Sequence, residues 1–122
     1  MNTIVHAIDG VPRTATSNAI NIEGAKKVVL RFVRTDHSAG KTVFTVTGSL
    51  DGTTFHACNM LISNLANTIS EGLTRVASYD TGAANADAIY ALDLDNFAFK
   101  EIKVTATRTT DGTNDAYVYI EY

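Results

Sequence analysis

Three histidines, one cysteine and two pairs of neighbouring aspartates are the residues in this 122-residue chain that could support acid–base, nucleophilic or metal chemistry. A hydrolase needs a nucleophile, a base within hydrogen-bond reach and a group that orients the base. His6, His37 and His56 lie in no H-E-x-x-H motif and are not spaced as a metal pair, so each reads as an ordinary surface or edge residue. His56 and Cys58 are two apart on an extended segment. Side chains at i and i+2 stand roughly 7 Å apart, too far for direct proton transfer. Cys58 has no partner for an intramolecular disulfide and reads as a small buried hydrophobe. Asp93 with Asp95, and Asp111 with Asp115, are the carboxylate pairs. The first could ligate calcium from a loop, but EF-hand spacing is absent and strand-end aspartates are commonly turn residues. Neither a G-x-x-x-x-G-K-[ST] phosphate loop nor a G-x-G-x-x-G turn is present. These residues predict no catalytic centre, no cofactor and no metal site.

The elements that would position any site are strands. Hydrophobic residues make up 45% of the chain and charged residues 19%, and threonine is often set beside valine, tyrosine or isoleucine, a mixture that favours strands over helices. At 13.1 kDa the chain has room for one domain with a real core. The strongest local pattern is residues 41–55, KTVFTVTGSLDGTTF. Phe44, Val46 and Leu50 fall on one side, with Gly48 in register, and Val43, Thr45, Thr47 and Ser49 on the other. Asp51-Gly52 predicts a tight hairpin, with the strand resuming at Thr53, Thr54 and Phe55.

Further strands are expected around Ile20 and Ile22, over 27–35 (KVVLRFVRT), near 60–62, over 73–79 (LTRVASY), over 88–94 (AIYALDL), over 101–109 and over 116–122. In the second of these Val28, Leu30 and Phe32 make one face. The other face, with Lys27, Val29, Arg31 and Val33, is mixed, which suits partial cover by another chain or a loop. Phe97 and Phe99 read as anchors. Ile102, Val104, Ala106, Val118 and Ile120 point inward, while Tyr117 and Tyr119 share an outer face as a candidate contact surface. Residues 1–19 read as an N-terminal arm or first strand, and 20–122 as the folded domain. Seven or eight short strands with turns between them predict an all-β antiparallel sandwich or jelly roll, with a small closed barrel as the runner-up.

A formal charge of −3 and a pI near 5.5 argue against nucleic-acid binding, which needs clustered Lys and Arg. The local basic run, Lys26, Lys27, Arg31 and Arg34, reads as charge on the wet face of a strand. The opening MNTIVHAIDG lacks a secretory signal pattern and no stretch approaches the ~20 apolar residues of a membrane helix, so synthesis in a cytoplasm is expected.

Two stretches carry a resemblance. VTGSLDGTTF, with Ser49, Asp51, Gly52, Thr53 and Phe55, is followed by an aromatic-anchored strand with Lys100, Ile102, Val104, Ala106 and Thr107, and by a last strand at the chain end. Together they resemble the small β-sandwich virion structural proteins of tailed bacteriophages, most of all capsid decoration (cement) proteins. A tryptophan common at that hairpin is missing here. The resemblance implies a non-enzymatic protein at the capsid surface, a homotrimer, with the major capsid protein as partner. Tail or neck accessory proteins and appended carbohydrate-binding modules share the motifs. In a glycan-binding module Tyr79, Tyr90, Tyr117 or Tyr119 would stack on sugars. For the decoration reading, the residues expected to meet neighbours are Ile4, Val5, Pro12 and Arg13 in the arm, with Tyr117 and Tyr119.

Overall fold

The computed structural model describes residues 2–63, 73–95 and 97–122, and among them every regular element is a strand. In chain order these are β1 (Asn2–Val11), β2 (Ala15–Thr16), β3 (Ile20–Asn21), β4 (Lys27–Thr35), β5 (Gly40–Ser49) and β6 (His56–Ala57). Then come β7 (Met60–Ser63), β8 (Leu73–Val76), β9 (Tyr79–Asp80), β10 (Ala86–Leu92), β11 (Glu101–Thr110) and β12 (Thr113–Glu121). Eight of them have four residues or more, and four are two-residue pieces. No helix among the described residues is long and apolar enough to cross a membrane.

The strands form two antiparallel sheets, as the alternation predicts. One has the order β1-β12-β4-β10-β7-β8, and the other β2-β11-β5-β6, with β3 added to β11 and β9 to β5. Their inner faces meet. Val28, Leu30, Phe32, Val118 and Ile120 of the first sheet pack toward Phe44, Val46, Ile102, Val104 and Ala106 of the second, all buried. The Phe32 and Phe44 rings stack at 4.6 Å between centroids, and Tyr79 and Tyr90 complete the aromatic cluster. This is a β-sandwich. Residues 2–16 contribute to both layers, since β1 runs along β12 and β2 along β11.

The chain crosses between layers twice at one corner. β4 passes to β5, and β11 to β12, so that Thr35 faces Thr113 and Gly40 faces Thr110. Arg34 lies beneath this corner with its side chain wholly buried, the opposite of the wet-face position expected for it. It stands two residues beyond Phe32, in phase with Val28, Leu30 and Phe32, and strand geometry sends it inward with them. Its two terminal nitrogens donate to carbonyls, while Nε is buried with no partner among the described residues. Nη1 donates to Gly40 (3.1 Å), Gly82 (3.2 Å) and Ala84 (3.3 Å), and Nη2 to Ala39 (3.0 Å) and Asp111 (2.8 Å). The Asp111 carboxylate, 3.5 Å away, accepts in turn from the Ser38 hydroxyl and the Ser38 and Ala39 amides. Gly112 has φ +105°, and a Cβ there would press on the Arg34 guanidinium.

Four local expectations are corrected. Asp51-Gly52 does not make a two-residue hairpin. Asp51 Oδ1 accepts from the Thr53 and Thr54 amides and the Ser49 hydroxyl, only Gly52 of the pair has positive φ, and the chain next pairs at His56. Leu50, beyond the strand end, consequently turns outward and is 63% exposed. Residues 73–79 are not one strand. β8 pairs with β7 in the first sheet and β9 with β5 in the second, so the segment switches layers. Of the two anchoring phenylalanines, Phe99 is buried but Phe97 is 47% exposed, stacked on Phe99 from outside.

Candidate functional site

The outer faces of the two sheets differ in chemistry. On the smaller sheet Thr45 and Thr47 of β5 stand beside Thr105 and Lys103 of β11, a polar skin in which Thr16 and Thr105 share a hydrogen bond at 3.0 Å. On the larger sheet, β1-β12-β4-β10-β7-β8, the outward positions carry aromatic and aliphatic side chains in registered rows. One row runs Leu61, Ala91, Val29, Tyr119, Ile4 across β7, β10, β4, β12 and β1. The next is Ile89, Arg31, Tyr117, His6. Ile4 and Ile89 are 64% and 65% exposed. A shallow groove of about 270 Å³ lies along the first row, lined by Thr3, Ile4, Val29 and Tyr119 with Lys27 and Glu121 at its end.

The charges on this face are paired. Arg31 holds Asp87 through two hydrogen bonds, Nε to Oδ1 at 2.9 Å and Nη2 to Oδ2 at 2.7 Å. That pairing first, then a hydrogen bond that Arg31 donates to the Tyr119 hydroxyl oxygen, raises the Arg31 pKa, and the guanidinium lowers that of Asp87. Arg31 also lies 5.4 Å from the Tyr117 ring centroid, while His6 stacks on that ring at 4.2 Å with an interplanar angle of 10°. His6 Nε2 is 2.8 Å from Asp115 Oδ1, which also accepts from the Gly10 amide, and His6 Nδ1 is 3.6 Å from Asp9. His6, Asp9 and Asp115 bring possible ligand atoms within 4.8 Å of one another, a convergence these hydrogen bonds already account for. What the surface offers is flat apolar area around fixed, internally neutralised charges. That is the composition of a protein-contact core, where aromatics and arginine are enriched and free charge is scarce.

The crystal structure of the SPBc2 prophage-derived protein YomS has the same fold. Its TM-score with this chain is 0.68 at 6% sequence identity, over 99% of this chain and 94% of that one. No protein-family model and no curated protein sequence matches the chain.

Of the residues expected to meet neighbours, the fold brings Ile4, Tyr117 and Tyr119 together on this face. Val5 belongs to the other side of β1, opposite Val118, and packs against the core. Pro12 and Arg13 are exposed in the link from β1 to β2, where the chain leaves this sheet for the other. Tyr90 is buried and Tyr79 packs on Phe32 and Phe44, so neither presents a free ring for a sugar. The carboxylate pairs are split. Asp93 is buried and accepts from Arg75 Nε at 3.1 Å while Asp95 is exposed, and Asp111 and Asp115 serve different loops. Cys58 donates to the Val46 carbonyl at 3.3 Å, and burial pushes its thiol up to about 11. The residues not expected on the face are Ile89, Leu61 and His6. Ile89 alternates with Tyr90 in AIYALDL, and that period alone would have assigned it outward.

Proposed function

We propose that this chain is a non-enzymatic bacteriophage or prophage structural protein that works by adhesion through the outer face of its larger sheet, the one that holds β1, β12, β4 and β10. More specifically, we propose a decoration protein that bridges capsomers on the outer shell, with the major capsid protein as its partner. The observation that carries the reading is the row Leu61, Ala91, Val29, Tyr119, Ile4, apolar across five strands with no free charge within it. Two supports stand beside it. The fold is shared with a prophage-derived protein, and the resemblance in the hairpin and closing strands points the same way. Bridging a shell needs area, shape and many weak contacts acting together, which a flat apolar sheet face supplies. A sugar-binding role has less support, because Tyr117 is already flanked by His6 and Arg31. The resemblance implies three copies to a unit.

The test is co-sedimentation with assembled shells of the major capsid protein encoded in the same genome. The unmodified protein should pellet with the shells, and Ile89→Asp or Tyr119→Glu should lower its occupancy at least tenfold while circular dichroism stays unchanged. No binding to shells, or binding that both variants leave intact, overturns the assignment of this face.

A further inference from the structure

Among the described residues the lateral edges of the two sheets are unequal. The smaller sheet ends in two-residue strands, β2 and β3 on one side and β6 and β9 on the other. The larger sheet ends on one side in β8, four residues with Arg75 among them. Its other edge is β1, ten residues long and paired only with β12. Every second residue of such a strand turns its N–H and C=O outward, and sheets that stay single guard long edges with lysine, proline or brevity. β1 has none of these between Asn2 and Ile8, where the sequence is NTIVHAI. Its register with β12 is regular from Asn2 to His6 and shifts between His6 and Ile8, so the pairable stretch is 2–6 and its midpoint is Ile4.

We propose that β1 pairs antiparallel with β1 of a second copy about a two-fold axis through Ile4, joining two six-stranded sheets into one of twelve. In this register Ile4 faces the partner's Ile4, Thr3 faces the partner's Val5, and Asn2 faces the partner's His6. Three β-branched residues then meet β-branched partners, the polar ends meet each other, and no like charges are opposed. The axis is perpendicular to the sheet, so both outer faces lie on the same side. The row Leu61, Ala91, Val29, Tyr119, Ile4 continues without a break into its copy, and the exposed Ile4 side chain is covered. A ring of three through this edge would have to join β1 to an edge of another kind, and β8 offers only four residues. The proposal stands on the edge itself and does not depend on a virion role.

Ile4→Cys tests it. The substitution puts one thiol per copy at the axis, where facing Cα atoms of antiparallel strands are roughly 4.5–5.5 Å apart, within disulfide reach. Mild oxidation should give a covalent dimer. Asn2→Cys should not, since its two copies lie about 14 Å apart in this register. Cys58 is buried and does not compete. Ile4→Lys, at an exposed position, should keep the native circular dichroism and shift the sedimentation mass from two copies to one. A one-copy mass for the unmodified protein at millimolar concentration, with no Ile4→Cys crosslink, overturns the proposal. So does a three-copy mass that Ile4→Lys leaves unchanged. Crosslinking of Asn2→Cys as readily as of Ile4→Cys overturns the register.

Discussion

Replacing Arg34 with methionine removes the shared donor of three loops while keeping most of the side-chain volume. Five carbonyls, those of Ala39, Gly40, Gly82, Ala84 and Asp111, lose their guanidinium partner, and the Asp111 carboxylate loses its cation. A hydrogen bond to a charged group contributes about 1.5–3 kcal/mol, but six such contacts to one side chain do not add, and some carbonyls at a corner regain water. Breaking a buried ionic network by removing one member costs about 3–5 kcal/mol, which is the magnitude expected here. For a domain of this size each kcal/mol moves Tm by about 3–5 °C, so Arg34→Met should melt roughly 10–20 °C lower. The internal control is Arg31→Met on the same strand. Arg31 pairs with Asp87 at the surface, where solvent screens the interaction, so its loss should move the melting temperature far less than the loss of Arg34. Urea and thermal unfolding of both variants decide the matter. Equal losses, or a loss below about 1 kcal/mol for Arg34→Met, would refute the role given to this arginine in holding the corner.

Other expectations rest on single contacts. At Gly48 an added Cβ would lie 2.5 Å from Cδ1 of the buried Phe99, so Gly48→Ala should destabilise the fold by about 1–3 kcal/mol through overpacking, and Gly48→Ala with Phe99→Leu should recover part of it in the same unfolding assay. Asp111 is held down to about 2, first by the Ser38 hydroxyl and then by the Ala39 and Ser38 amides, and Asp51 likewise by the Thr54 and Thr53 amides and the Ser49 hydroxyl. Both folded values lie below the ordinary 3.8, so the stabilisation is complete above that value and is lost as pH falls through it toward about 2. The urea midpoint should drop across that window, and less steeply in Asp51→Asn with Asp111→Asn; a midpoint that holds or rises there contradicts the assignment. The Cys58 thiol, raised by burial to about 11, should resist aromatic disulfide reagents at neutral pH until urea unfolds the chain, and rapid labelling of the native protein would show that it is accessible.

Alternation made most of this fold legible in the sequence. The strand read over 27–35 is β4, residue for residue, and Ile102, Val104, Ala106, Val118 and Ile120 are all buried, because period 2 fixes a side chain's layer once a strand is given. The failures have separate causes. Arg34 was assigned outward for its charge although its phase pointed inward, and tertiary carbonyls supplied what burial took away. Leu50 was assigned inward by continuing the alternation of Phe44, Val46 and Gly48, but the strand ends at Ser49 and the alternation ends with it. The layer switch within residues 73–80 had no local signal, since it depends on which partners β8 and β9 find. For the candidate surface, the mixed outer face of β4 and the tyrosines of β12 were readable beforehand. Their union with Ile4 and Ile89 needed the strand order, which no periodicity contains.

The double crossing at the Arg34 corner constrains how the molecule can form and come apart. β4 and β5 are consecutive but sit in opposite layers, and each is zipped along nearly its full length to a member of the equally consecutive pair β11 and β12. Neither layer can therefore mature while the other is still fluid, because laying down β12 against β4 drags β11 onto β5. Leu30 must wait for Val118, and Val46 for Val104, so long stretches of chain are closed before any reward arrives. Assembly is expected to be slow and concerted, and an intermediate with one sheet intact and the other dissolved has no route by which to accumulate.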